Sequence, residues 1–222
     1  MKIVIANSNP IHTRLCESLK EKLGGVYVIT QKSDLTVDIL ESIKPTYVFF
    51  PHWSFIIPKK IYDNFQCVVF HMTDLPFGRG GSPLQNLIEC GFETTKISAI
   101  KVGKGIDTGD VYLKKDVSLH GTAEEIFIRI GYVIESMIDY ILVKKPIPKP
   151  QEGDIVEFQR RKPEQSNIEA LSSIEKIYDY IRMLDAESYP KAYIETEHFR
   201  FEFSRASQKK DCLIADVRII KK

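Results

Sequence analysis

Short apolar runs alternate with amphipathic stretches along the first part of the chain. "KIVIA" (2–6) and "VYVIT" (26–30) have the texture of buried strands, and "IHTRLCESLKEKLG" between them places apolar residues at helical spacing and closes on a glycine. "TVDILESI" predicts a second, short helix. "PTYVFFPHWS" contains a third strand ending near Phe50, and "CVVF" (67–70) is a fourth. Strands and helices in this order predict an α/β fold with a mostly parallel sheet covered on both faces. In such sheets ligands bind beyond the carboxyl ends of the strands, which is where His52 and His71 fall.

From Pro83 a helix runs to about Cys90, with proline suited to its first turn and Ser82 placed to cap it. "KISAIKV" and "DVYLKKDVSL" read as two strands separated by the turn "GKGIDTG". The longest helix follows in "TAEEIFIRIGYVIESMIDYIL", with Thr122 and Glu125 at capping-box spacing and an apolar stripe through Ile126, Ile130, Val133 and Ile134. "KKPIPKPQEGD" ends it. Beyond this point "SSIEKIYDYIRMLDAESYP" predicts an amphipathic helix, and "KAYIET", "FRFEFSRA" and "CLIADVRII" predict antiparallel strands. The expected organisation is a main domain over 1–150 and a small α+β appendage over 151–222. The alternating C-terminal strands suit a homodimer as well as an appendage packed on its own domain.

Composition narrows the function classes. The 222 residues can bury one substantial core, and 31 Lys plus Arg against 30 Asp plus Glu give no global pull toward nucleic acid or an anionic membrane. "MKIVIANSNP" suits a first strand better than a signal peptide, and no stretch reaches the roughly 18 apolar residues of a membrane span, so the expectation is a soluble, cytoplasmic protein. The four cysteines, Cys16, Cys67, Cys90 and Cys212, are scattered without a CxxC, which fits reduced thiols. His12, His120 and His198 lack metal-ligand spacing, so no metal is expected.

The candidate chemistry gathers around "FHMTDLPFGRGGSPLQN" (70–86). His71 ends an apolar strand and opens a stiff, glycine-rich loop, where an imidazole can take or deliver a proton near neutral pH. A carboxylate beside it would fix its tautomer, and Asp74, Asp107 and Asp110 compete for that place. Neither GxGxxG nor a terminal Gly-Lys-Ser/Thr is present, which excludes a dinucleotide fingerprint and an ATP P-loop. Arg79 is suited to gripping a phosphate or carboxylate, and His52 and Trp53 to lining a pocket.

"FHMTDLPFGRGGSPLQNLI" followed by "VGKGIDTGDVYLKKDVSL" closely resembles the catalytic core of the formyltransferases that use 10-formyltetrahydrofolate, over roughly residues 1–145. The resemblance implies a Rossmann-like core, with the catalytic histidine on His71 and the aspartate on Asp107. It also implies a formyl-donor site at Phe77, Gly78 and Asp110, and an acceptor site drawing on His52, Trp53, Arg79, Arg160 and Arg161. The family's asparagine, two residues before the histidine, is Val69 here, which removes a polar group from the formyl oxygen. Within the family the tail "FQRRKPEQSNI" and "IYDYIRMLDAESYPKAYI" looks like that of sugar N-formyltransferases. The expectation is therefore an N-formyltransferase acting on a UDP- or dTDP-linked amino-dideoxy sugar, with no nucleic-acid partner. Two alternatives stand beside it: an aminoacyl acceptor, and a relative impaired by Val69.

Overall fold

A computed structural model describes residues 1–187 and 189–222. The apolar pattern predicts nine of the strands and five of the helices, and among the described residues eleven strands and six α-helices are observed. They are β1 (Ile3–Asn7), α1 (Thr13–Lys22), β2 (Val26–Ile29), α2 (Val37–Ile43), β3 (Tyr47–His52), α3 (Lys59–Asn64), β4 (Cys67–His71), β5 (Arg79–Gly80), α4 (Pro83–Glu89), β6 (Thr94–Lys101), β7 (Val111–Ser118), α5 (Ala123–Lys144), β8 (Glu157–Phe158), α6 (Ile174–Met183), β9 (Ala192–Glu195), β10 (Phe199–Gln208) and β11 (Leu213–Lys221). The main sheet has the order β2-β1-β3-β4-β6-β7; its first four strands are parallel and β6 runs antiparallel to β4. The fold is thus the expected α/β, Rossmann-like, mostly parallel sheet, accompanied by a smaller three-stranded antiparallel sheet, β11-β10-β9, near the C-terminus.

Period-two alternation decides which residues each helical layer covers. Val4, Ala6, Val48, Phe50 and Cys67 share one buried cluster with Leu40 of α2, and Trp53 and Val69 pack against it. The alternate residues Ile3, Ile5, Phe49 and Phe70, all buried, belong to the opposite face. There α1 and α5 are joined by the hydrogen bond from Ser18 to Glu135, 2.9 Å long.

The local signals explain most element ends. Thr36 caps α2 by accepting from the Ile39 N–H, and the helix stops at Lys44, left-handed at φ 55° and followed by Pro45. Thr122 and Glu125 form the expected capping box ahead of α5, exchanging hydrogen bonds of 2.8 and 3.3 Å. Ser82 departs from its expected role. It adopts φ 51° and makes no capping bond to α4; its hydroxyl accepts instead from the Arg161 N–H at 3.1 Å.

The chain divides into two compact units that are interleaved in sequence. One comprises Met1–Gly80, Thr95–Val117 and Phe127–Glu157, and the other Gly81–Thr94, Ser118–Ile126 and Phe158–Lys222. Within the second, Glu89 of α4 pairs with the Arg161 guanidinium and accepts from the Tyr180 hydroxyl of α6, while Gln85 donates to the Met183 carbonyl at 3.1 Å. Buried Asp185 accepts from Lys191 at 2.8 Å and from the Arg205 N–H at 2.6 Å, anchoring the small sheet.

Candidate active site

The carboxyl edge of the main sheet carries a row of polar residues. Pairing sets Asn7 level with His52, Phe50 with Val69 and His71 with Ser98. His71, the last residue of β4, is 7% exposed, and each of its ring nitrogens faces an oxygen. Nε2 lies 2.7 Å from the Gly78 carbonyl, and Nδ1 lies 3.4 Å from Asp107 Oδ2. The carbonyl can only accept, so Nε2 carries a hydrogen and Nδ1 is the position open to a second proton beside the carboxylate.

Asp107 reaches this place from the β6–β7 turn in a left-handed conformation, φ 54°, which aspartate tolerates better than most residues. Its Oδ2 also accepts from the Gly80 N–H at 3.0 Å. The turn closes through Lys101 N–H to the Asp110 carbonyl at 2.8 Å, and Gly109 lies so near that a Cβ there would sit 1.7 Å from the Lys101 oxygen.

Gln151 ties these parts together. Its Nε2 donates to the carbonyls of Asp107 and Gly109, both at 2.8 Å, and its Oε1 accepts from Arg79 Nε at 3.2 Å and Nη2 at 2.8 Å. Every donor and acceptor of the amide is used. Sequence reasoning missed this residue. It follows a proline-rich run that reads as a helix terminator, and its partners lie 42 to 72 positions away.

The competition among the three aspartates is resolved by geometry. Asp74 forms ion pairs with Lys96 and Lys114; partial burial works against its charge, but these hydrogen bonds outweigh that and hold its carboxyl below the usual range. Asp110 is exposed, and its described bond is through the main chain. Asp107 alone of the three faces His71.

The other expected site residues separate. Gly78 supplies the carbonyl against His71, and Phe77, half-buried, donates its N–H to the Asp74 carbonyl at 3.1 Å. A register shift between Phe49 and His52 turns His52 to the face opposite His71, where its ring lies 5.8 Å from that of His12 and 5.9 Å from Phe127. Burial lowers the His52 pKa from 6.5 to about 4; burial, and then His52, lowers that of His12 to about 3. Trp53, one residue on, meets Phe50 edge-on at 6.0 Å, on the side of Val69. Arg160 and Arg161 belong to the other unit; Arg160 is exposed, and the Arg161 guanidinium is engaged by Glu89, by the Gln165 carbonyl at 2.8 Å and by the face of Tyr180. Among the described residues no group of three or more His, Cys, Asp or Glu could hold a metal ion, and no helix is long and apolar enough to cross a membrane.

Residues 163–220 match the family model described as "Methionyl-tRNA formyltransferase, C-terminal domain". A solved methionyl-tRNA formyltransferase from Clostridium thermocellum is 55% identical, with all of both chains covered and a TM-score of 0.97. The methionyl-tRNA formyltransferase of Rickettsia canadensis is 31% identical over 113 residues, 50% of this chain and 36% of that protein, so the chain spans only a part of this curated relative. HypX from Aquifex aeolicus, solved in complex with tetrahydrofolic acid, shares the fold at 18% identity and a TM-score of 0.78, over 95% of this chain and 38% of that one.

These likenesses overturn the expected acceptor. The amino-sugar assignment rested on the look of the tail, yet residues within that tail match the C-terminal domain of methionyl-tRNA formyltransferases. The full-length likeness points the same way. The exclusion of nucleic acid falls with it: a net charge near zero averages the whole chain and does not report on a local surface.

Proposed function

The chain belongs to the methionyl-tRNA formyltransferase family, and from that premise we propose that it transfers a formyl group from 10-formyltetrahydrofolate to the amine of methionyl-tRNA. The observation that carries this reading is the pair of His71 and Asp107, 3.4 Å apart at the carboxyl edge of the sheet, with the histidine's other nitrogen fixed by Gly78.

The chemistry is direct transfer. The neutral amine attacks the formyl carbon; a C–N bond forms and the carbonyl π pair moves onto oxygen. The tetrahedral intermediate then collapses, the bond to the folate nitrogen breaks with its electron pair leaving on that nitrogen, and a proton given up by the amine ends there. With Nε2 held by Gly78, Nδ1 of His71 is the atom that carries the proton between the two nitrogens, and Asp107 stabilises the imidazolium formed on the way. Gln151 and the Gly80 N–H keep Asp107 in position.

The test is to incubate the purified chain with methionyl-tRNA and 10-formyltetrahydrofolate, following formyl-methionyl-tRNA and released tetrahydrofolate together. Equimolar products are expected, with kcat reduced about 10²-fold or more in His71→Ala and in Asp107→Asn. Binding of methionyl-tRNA without either product would overturn the reading.

A further inference from the structure

The small sheet of the C-terminal unit has the order β11-β10-β9, so β11 pairs with β10 along one edge and meets no strand along the other among the described residues. β11 is nine residues long and contains no proline, and the extra residue of its register shift with β10 lies in β10, between Ser204 and Ser207. Ile214, Val217 and Ile219 are 57%, 48% and 62% exposed. A long apolar edge with neither a bulge nor a proline of its own is a template for another strand.

Main-chain bonding fixes which residues face outward. The Lys222 N–H donates to the His198 carbonyl at 3.1 Å, and at the other end the Lys209 N–H donates to the Cys212 carbonyl at 2.8 Å. Both direct the main-chain groups of even-numbered residues toward β10. Alternation along an antiparallel ladder then turns those of Leu213, Ala215, Val217, Ile219 and Lys221 outward. Two copies of β11 laid antiparallel therefore bond only where odd positions meet odd positions, which puts the two-fold axis on a residue.

Val217 is the middle residue of the strand. An axis there overlaps β11 over its whole length, sets Val217 against its own copy, and sets Asp216 opposite Arg218, Ile214 opposite Ile220 and Ala215 opposite Ile219, each twice by symmetry. An axis at Asp216 or at Arg218 puts like charges face to face. Arg218 is exposed and makes no ion pair among the described residues; Asp216, which pairs with Arg205 of its own chain, is also exposed. The strand is thus complementary to itself in charge, apolar pattern and main-chain register at one alignment.

We propose that a second copy of this chain occupies the edge, pairing β11 with β11 antiparallel about Val217 and joining two three-stranded sheets into one. The contact is isologous, so it closes as a dimer and does not propagate into a fibre. Main-chain hydrogen bonds hold the two strands, and the pairs of Asp216 with Arg218 select the alignment. A single edge of this length is small for a stable interface, so a dissociation constant on the order of 10 µM is expected.

Sedimentation equilibrium of the full chain from about 1 to about 200 µM tests this, with the mass expected to rise from one chain to two. Arg218→Asp and Asp216→Arg, each alone, place like charges across the axis twice and should raise the dissociation constant at least about tenfold. Mixed in equal amounts, the two variants regain both opposite-charge pairs, and a heterodimer is expected. A wild-type chain that stays monomeric overturns the proposal, as does a dimer that neither substitution weakens, or a mixture of the two folded variants that stays monomeric. Should a variant fail to fold, amide hydrogen exchange of the wild-type chain decides. The outward N–H groups of Ala215, Val217 and Ile219 are expected to gain protection as the concentration rises, while those of Asp216, Arg218 and Ile220 are protected throughout. Exchange at the outward amides that is independent of concentration overturns the proposal.

Discussion

At the scale of single residues, the proposed centre is a chain of contacts from Gln151 to Asp107 to His71. Gln151→Ala leaves two backbone carbonyls without donors and frees the turn that carries Asp107, so kcat is expected to drop on the order of tenfold. Gln151→Glu should be no better, since it sets a carboxylate against the same carbonyls. Steady-state kinetics across pH 5 to 9 separate this from lost stability, because a displaced Asp107 alters the pH profile and a merely less stable fold does not. The place of His71 was legible in the sequence, because it ends an apolar strand at the carboxyl edge of an α/β sheet, but position alone does not single it out, since His52 ends the neighbouring strand and faces the other way. The choice among Asp74, Asp107 and Asp110 was legible only through family resemblance, since all three occupy turn-like surroundings and what separates them is which lysines fold back onto Asp74.

His12 and His52 make a second residue-scale prediction. Their pKa values of about 3 and about 4 lie below the 6.5 of the unfolded chain, so both are neutral in either state above pH 6.5 and contribute no pH dependence there. As pH falls below 6.5 the unfolded chain binds protons that the folded chain does not, and stability declines until it levels near pH 3 to 4. At pH 5 the loss is about 2 kcal/mol per histidine. Urea unfolding at pH 7 and pH 5 measures it, and His52→Phe should remove about half of the difference, since His12 remains buried.

At the scale of elements, strands and long helices were readable from apolar period alone, while the features that aim side chains were not. Simple alternation puts His52 on the face of Phe50; the extra residue between Phe49 and His52 reverses it, and nothing in "FFPHWS" announces that shift beyond the proline. The Ser82 cap failed for a similar reason, because its hydroxyl is claimed by Arg161, 79 positions later. The β6–β7 turn is the element least tolerant of change. Gly109→Ala would press a methyl group into the Lys101 carbonyl, so a loss of several kcal/mol is expected, read as a lower midpoint in thermal or urea unfolding. Arg161→Met should likewise lower stability, by about 2 kcal/mol, by leaving Glu89 without its cationic partner, while the KM for either substrate changes little.

At the scale of the whole molecule, the sequence misdirected the reading of the acceptor. A formal charge of +1 gave no pull toward nucleic acid, yet binding of the proposed tRNA substrate needs only a few uncommitted cations in one place. Many basic side chains of the C-terminal unit are paired internally, among them Arg182 with Asp179, Lys191 with Asp185 and Arg205 with Asp216. The KM for methionyl-tRNA is therefore expected to rise with salt at a modest log–log slope of about 3, corresponding to three or four phosphate contacts. A slope near 10 would indicate a much broader footprint.

The interleaving of the two units bears on how such a protein can change over generations. The path passes from one unit to the other after Gly80, Thr94, Val117, Ile126 and Glu157. No single crossover in the gene separates the two units whole, because even a join after Glu157 leaves Gly81–Thr94 and Ser118–Ile126 with the first unit. New acceptors must be reached by gradual substitution inside a shared scaffold or by additions at its ends, so chemistry and recognition are inherited together.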